Sequence, residues 1–272
     1  MRNPQIYEQL LESLVRVYEN GPDPKLRAFQ IPTARYRDPE LFAREQRLLR
    51  SLPTPVAHVS QLAAPGSCLV HDALGVPILV TRGRDGGIRA MLNVCRHRGT
   101  RLIEEPGFCQ VRKGFRCVYH GWTYDLEGAL KHVPREELFP SLDKECHRLT
   151  SLPAIERFGF VWVVATPHPD YDFDTFLEPL EPDLEPLDLG SHVVFRRATT
   201  TAKANWKLVM EAFLDGYHVR HLHKNTVGPY FEGHQSYSEL AGPHTRAIVG
   251  RGSFQSAPDH HAVQQIRDIA TP

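Results

Sequence analysis

The sequence predicts an α+β protein: N-terminal helices, a small antiparallel β domain, and a second α+β domain. Three observations carry this. Apolar residues recur at helical spacing before residue 53, and short branched and aromatic runs separated by turn residues fill 56–164. A proline- and carboxylate-rich stretch then leads into a histidine-rich helical pattern near residue 205.

Ile6, Leu10, Leu14 and Val17 share one helical face until Asn20-Gly21-Pro22 stops the pattern, which predicts a helix over 4–19. A second helix begins near Pro39, with Leu41, Glu45, Leu48 and Leu49 preceding the break at Pro53. Strands are predicted at Val56–Ser60, Ser67–His71, Val76–Thr81, Ile88–Val94, Gly114–Tyr119 and Phe158–Val164, with turns such as Arg84-Asp85-Gly86-Gly87 and Leu126-Glu127-Gly128 between them. Prolines and carboxylates from Pro167 to Gly190 read as a connector with one short helix around Thr175–Leu180. His192–Ala202 reads as a strand, and a histidine-bearing segment follows from Asn205 to His223. The expected domains are a helical segment (1–54), the β domain (55–166), the connector (167–190) and the start of a second domain (191–272).

Hydrophobic residues make up 41% and charged residues 24%, at zero formal net charge, so nucleic acid is not an expected partner. No apolar run reaches the roughly twenty residues a bilayer requires, and Met1-Arg2-Asn3-Pro4 does not open a secretory signal; a cytoplasmic location is expected. Cys68, Cys109 and Cys146 form an odd set without framework spacing and are expected as unpaired thiols that pack in or near the core.

The other two cysteines lie in Cys95-Arg96-His97-Arg98-Gly99 and Cys117-Val118-Tyr119-His120-Gly121-Trp122. Each loop supplies one thiolate and one imidazole in the same order, which suits an asymmetric two-iron cluster with two sulfur ligands on one iron and two nitrogen ligands on the other. Neutral imidazoles raise its reduction potential by roughly several hundred millivolts over an all-cysteine cluster. A structural zinc site is the competing use of two Cys and two His, although zinc fingers usually group Cys with Cys and His with His. The two loops resemble those of a Rieske [2Fe-2S] domain. Respiratory Rieske proteins carry an extra bracing cysteine in each loop; Thr100 and Val118 stand at the matching positions here, which places the resemblance with the oxygenase and ferredoxin branches.

Length separates those branches, since a carrier alone needs less than half of 272 residues. Asp215, His218, His221 and His223 lie close together, and on a helix turning about 100° per residue Asp215, His218 and His221 share a face. Asp215-Gly216-Tyr217-His218 followed by His223 nevertheless resembles the mononuclear iron motif of Rieske oxygenase α subunits, which makes His218 and His223 the ligands and His221 a neighbour. The helix must then distort or end between His218 and His223. Two imidazoles and a carboxylate on one face of Fe(II) leave positions open for O2 and substrate.

The resemblance, covering about Arg35 to His223, implies a Rieske non-heme iron oxygenase (aromatic ring-hydroxylating dioxygenase) α subunit. It implies electrons from NAD(P)H through a separate reductase, with or without a ferredoxin, and O2-dependent hydroxylation of a small, aromatic substrate. It also implies a homotrimer or an α3β3 assembly, in which Asp215 is the carboxylate linking a mononuclear iron to a cluster histidine equivalent to His120 on the next subunit. Glu211 either supports this route or is a solvated helix residue. Arg96, Arg98, Arg101, Arg112, Lys113 and Arg116 surround the loops, either as a landing site for an acidic redox partner or as ordinary surface charge. Trp122 is expected either to cover the cluster loop and shield it from water or to serve as an ordinary core residue.

Relatives take a third, carboxylate iron ligand from a late helix, whereas only residues 224–272 follow His223. Glu232, Glu239, Asp259 and Asp268 fall in no convincing late helix. The sequence is therefore expected to represent a shortened α subunit with an incomplete catalytic domain, weak iron binding and poor turnover. The alternative is a Rieske electron-transfer protein with a vestigial second domain.

Overall fold

The computed structural model describes residues 4–21, 30–73, 75–169 and 172–251. Asp259 and Asp268 lie outside them. The chain divides into two units, Ala43–Phe176 with Asp188–Ala198, and Met1–Phe42 with Leu177–Leu187 and Thr199–Pro272. Helices α1 (Pro4–Asn20) and α2 (Pro39–Ser51) fall where the spacing places them. Strands follow as β1 (Thr54–His58), β2 (Ser67–Ala73), β3 (Val76–Arg82), β4 (Ile88–Leu92), β5 (Gly107–Gln110), β6 (Phe115–Arg116), β7 (Thr123–Tyr124), β8 (Leu130–His132), β9 (Ser151–Leu152), β10 (Ala154–Arg157) and β11 (Phe160–Val163).

These strands form three antiparallel sheets, ordered β5-β2-β3-β4-β9, β1-β11-β10 and β6-β7-β8. Successive side chains of a strand point to opposite faces, and both faces of the five-stranded sheet are buried. Leu69, Ile78 and Val80 pack with Val56, Val161 and Val163 of the β1-β11-β10 sheet. Val70 and Leu79, one residue out of phase, join Phe115, Tyr124, Leu126 and Leu130 on the other face, together with Cys95 and Cys117. Double burial explains why these strands read as continuous apolar runs rather than alternating ones.

Several strands stop short of their predicted ends. Asn93 is fully buried beyond β4; its side-chain oxygen accepts from the Leu102 and Ile103 amides at 3.1 and 3.2 Å, while its amide donates to the Ile103 carbonyl at 2.7 Å. The predicted strand Gly114–Tyr119 keeps only β6, because the chain folds back at Cys117. At the end of β1, the His58 ring accepts from the Ser60 amide at 3.1 Å and turns the chain into a 3-10 segment at Val59–Leu62.

The three unpaired thiols expected from sequence are corrected to one. Cys68 on β2 stands directly opposite Cys109 on β5, with Cα atoms 4.9 Å apart, and the pair is disulfide-bonded; only Cys146 of that set is free. Sheet register creates this pairing, and no local spacing reveals it.

The connector is more helical than expected. It holds α3 (Phe173–Leu177), a 3-10 turn at Glu178–Leu180, α4 (Glu181–Leu184) and further 3-10 turns at Glu185–Leu187 and Leu189–Ser191. Pro179 and Pro182 each sit at the start of a new turn, where a missing N–H costs nothing. The predicted strand His192–Ala202 does not form: the segment joins no sheet, and Val193 and Phe195 are exposed. Branched composition favours a strand only where a partner edge exists.

In the other unit α5 (Trp206–Leu214) and α6 (Val219–Leu222) precede a hairpin of β12 (Phe231–Ala241) and β13 (His244–Arg251). Arg246 ties the hairpin to the connector helices, binding Asp183 at 2.6 Å, Glu239 at 2.9 Å and the Pro179 carbonyl at 3.4 Å. Glu239, considered above as a third iron ligand, is thus committed to an arginine.

Candidate metal centres

The two cysteine loops share one backbone scaffold. The Cys95 amide donates to the Thr100 carbonyl at 2.8 Å and the Gly99 amide to the Cys95 carbonyl at 3.0 Å. The Cys117 amide donates to the Trp122 carbonyl at 2.8 Å and the Gly121 amide to the Cys117 carbonyl at 3.0 Å. Each glycine stands four residues after its cysteine with φ near +75° (76° and 73°), a conformation that disfavours a Cβ.

Both thiols are buried, at 2% exposure each, and lie within reach of one another. Burial pushes the Cys95 thiol above its ordinary range, and a hydrogen bond from Tyr124 opposes it. The Tyr124 hydroxyl accepts from the Arg96 amide at 3.1 Å and lies 3.3 Å from Cys95 Sγ, so its proton is directed at the sulfur. Burial also pushes the Tyr124 phenol upward, which keeps that proton in place. The His97 and His120 rings are 4.6 Å apart. His97 Nδ1 is buried with no hydrogen-bond partner, a costly state for a polar atom unless something else meets its lone pair. Burial first, then His120 and Arg98 nearby, holds this imidazole below its usual pKa and favours the neutral form a metal requires. Two buried thiols beside an orphaned nitrogen fit a metal cluster. Tyr124 and Asn93, which support the loops, carry no motif and were missed by sequence reasoning.

At the second motif the helix ends earlier than required. α5 stops at Leu214, Asp215 is extended, and α6 begins only after His218 and ends before His223. The Asp215 carboxylate accepts from the Tyr217 amide at 2.8 Å, a local turn that competes with the helix. Asp215 and His218 still meet, through this turn rather than along one helix face, with Oδ2 to Nδ1 at 3.3 Å. The His218 ring lies 5.4 Å from that of His223, while His221 lies 6.2 Å from Tyr217. Glu211 is neither free nor simply solvated: the Tyr36 hydroxyl meets its two carboxylate oxygens at 2.9 and 3.0 Å.

Among the described residues no group of three or more His, Cys, Asp or Glu converges tightly enough to hold a metal ion. A two-iron cluster asks only for two protein ligands on each iron, its sulfides supplying the rest, so the first centre needs no such triad. The second centre presents a pair of imidazoles.

Residues 53–143 match the family described as Rieske [2Fe-2S] domain, and residues 189–270 match the ring hydroxylating alpha subunit (catalytic domain). The large oxygenase component of the naphthalene 1,2-dioxygenase system of Pseudomonas putida is 37% identical over 75% of this chain. The chain belongs to the Rieske oxygenase family. The oxygenase subunit of glycine betaine monooxygenase from Chromohalobacter salexigens is 31% identical over 81% of this Rieske oxygenase chain. The chain spans about half the length of these curated relatives, 46% and 49% respectively. The crystal structure of the quaternary ammonium Rieske monooxygenase CntA with an inhibitor superposes at a TM-score of 0.72, with 25% identity, over 83% of this chain and 63% of that one. The naphthalene 1,2-dioxygenase F352V mutant bound to phenanthrene gives 0.60, with 33% identity, over 68% and 43%. The α+β class expected from sequence holds, and the family's cofactors are a Rieske [2Fe-2S] cluster and a mononuclear iron. No helix among the described residues is long and apolar enough to cross a membrane.

Proposed function

We propose that the chain serves a terminal oxygenase component. It takes electrons at a cluster held by Cys95, His97, Cys117 and His120 and delivers them to a mononuclear iron at His218 and His223, for O2-dependent hydroxylation of a small, aromatic substrate. The observation that carries this is the buried, partnerless Nδ1 of His97 beside two buried thiols. When bound, the cluster supplies single electrons and the ferrous ion supplies open positions for O2 and substrate.

Within the chain, Cys95 and Cys117 provide the negative ligands and His97 and His120 the neutral ones. Asp215 occupies Nδ1 of His218, which leaves Nε2 for the iron and fixes the ring against rotation. Its carboxylate is also the group proposed to couple this site to a cluster in a homotrimer or α3β3 assembly. A reductase, with or without a ferredoxin, brings electrons from NAD(P)H. Exposed Arg96, Arg98 and Arg116 beside the loops suit an acidic partner surface.

Tyr124 tunes the cluster by donating to Cys95, since a hydrogen bond to the sulfur favours the more negative reduced state. Tyr124→Phe is expected to keep the colour and lower the reduction potential by on the order of tens of millivolts, measured by redox titration of the visible spectrum.

Iron counting after anaerobic reconstitution tests the function. About three irons per chain, falling to about two in His218→Ala or His223→Ala with the cluster signal intact, supports the proposal. About two irons in the unaltered chain even under excess ferrous ion, with neither substitution changing the count, overturns it in favour of an electron-transfer protein.

A further inference from the structure

No disulfide joins the loops that present the cluster ligands: Cys95 and Cys117 are free thiols, and the disulfide among the described residues, Cys68–Cys109, lies in the five-stranded sheet. Trp122 touches both loops. The Trp122 carbonyl accepts the Cys117 amide at 2.8 Å and closes the second loop. Its indole lies flat on the His97 ring of the first loop, with centroids 4.7 Å apart and planes within 5°. The indole is itself immobilised, being 3% exposed and met edge-on by Phe139 at 6.2 Å and by His147 at 5.7 Å. Phe139 also meets the His97 ring edge-on at 6.2 Å, closing a second side of it. His120 is less enclosed; it is exposed, with the tilted Tyr119 ring at 3.8 Å and the His97 ring at 4.6 Å against it.

We propose that Trp122 is the brace between the two loops, and that its face-to-face stack on His97 sets the plane in which that imidazole meets the cluster. This makes Trp122 a positioning residue, and it rests on the ligand assignment proposed above. An imidazole has one free torsion beyond Cβ, and rotation about it would swing Nδ1 out of line. A parallel indole blocks that rotation without offering Nδ1 a hydrogen bond, which matches an Nδ1 that is enclosed yet unpaired. A core filler has no need to lie parallel to the ring.

The test compares Trp122→Phe and Trp122→Leu in the full chain, reconstituted anaerobically with iron and sulfide. Bleaching by a chelator and the electron resonance g-values of the reduced cluster are the readouts. Phenylalanine retains a stacking face and is expected to bleach within about twofold of the unaltered chain. Leucine fills space without one, and is expected to bleach about tenfold faster with displaced g-values. Equal bleaching by both variants with unchanged g-values overturns the inference and leaves Trp122 a packing residue. Should the leucine variant fail to fold, histidine-labelled, metal-free unaltered chain decides by proton resonance. The His97 ring protons are expected well upfield of the positions of an imidazole in an unfolded peptide through the indole ring current, and unshifted resonances overturn the stack. An unaltered chain that takes up no cluster sinks the ligand assignment and this inference together. An unaltered chain that takes it up, with leucine bleaching at the same rate, sinks the inference alone.

Discussion

Cys117→Ser yields a folded but colourless chain after anaerobic reconstitution, with acid-labile sulfide and cluster iron at least about tenfold below the unaltered protein. Serine is nearly isosteric, and the Cys117 backbone keeps both of its loop hydrogen bonds, to Trp122 and from Gly121. What disappears is a soft, negatively charged ligand at a position where only two protein thiolates are on offer. The hydroxyl that replaces it is buried at 2% exposure and does not ionise at neutral pH. Near-unchanged far-ultraviolet dichroism together with lost visible absorption is the expected signature. A serine variant that retained full colour would remove Cys117 from the ligand set.

Gly114→Ala has the largest expected effect on stability, about 3 kcal/mol or more, lowering the urea midpoint and the melting temperature by roughly 6–12 °C. Gly114 has φ +133°, which an L-residue rarely adopts, and a methyl group there runs into the Tyr124 carbonyl with Asp125 Cα at 2.9 Å. The backbone cannot yield freely, because Phe115 pairs with Tyr124 in the β6–β7 ladder. The same displacement moves the Tyr124 hydroxyl from Cys95, so bleaching by chelator is expected to quicken alongside the loss of stability. Gly21→Ala is the matched control: it also has a positive φ, but among the described residues nothing lies within 4 Å of the added carbon.

Much of this arrangement is legible in the sequence, for reasons that differ by element. α1 and α2 are long, periodic and bounded by proline or glycine, so their limits follow from local signals. β2 and β3 are rich in branched residues and survive translation into structure. β7 and β9, of two residues each, are defined by their partners rather than by their composition, and nothing local announces them. His192–Ala202 fails in the opposite sense, having strand-like residues and no edge to join.

The paired Cys-x-His and Cys-x-x-His spacings single out the four loop residues because few chemistries need that order twice. The equivalence of Gly99 and Gly121 is hidden by counting from the histidines, which stand two and three residues after their cysteines. It appears only when the loops are aligned on the sulfur. Tyr124, Asn93 and the Cys68–Cys109 pair act through register and burial, which belong to the assembled sheets. Asp215 shows the limit of periodicity: three-residue spacing predicts proximity to His218 correctly, while the turn that delivers it is not a helix.

The two-faced central sheet also has a bearing on accuracy of placement. Consecutive residues of β2 and β3 belong to opposite interiors, so sliding either strand by one position would exchange all of that strand's contributions to the two interiors at once. Such a strand behaves like a ratchet tooth, seated or wholly disengaged with no stable intermediate setting. Asn93 and Cys95 leave directly from the end of β4, which is laddered to β3, and inherit that indexing. The height at which the first sulfur emerges is thereby fixed by packing well away from any metal.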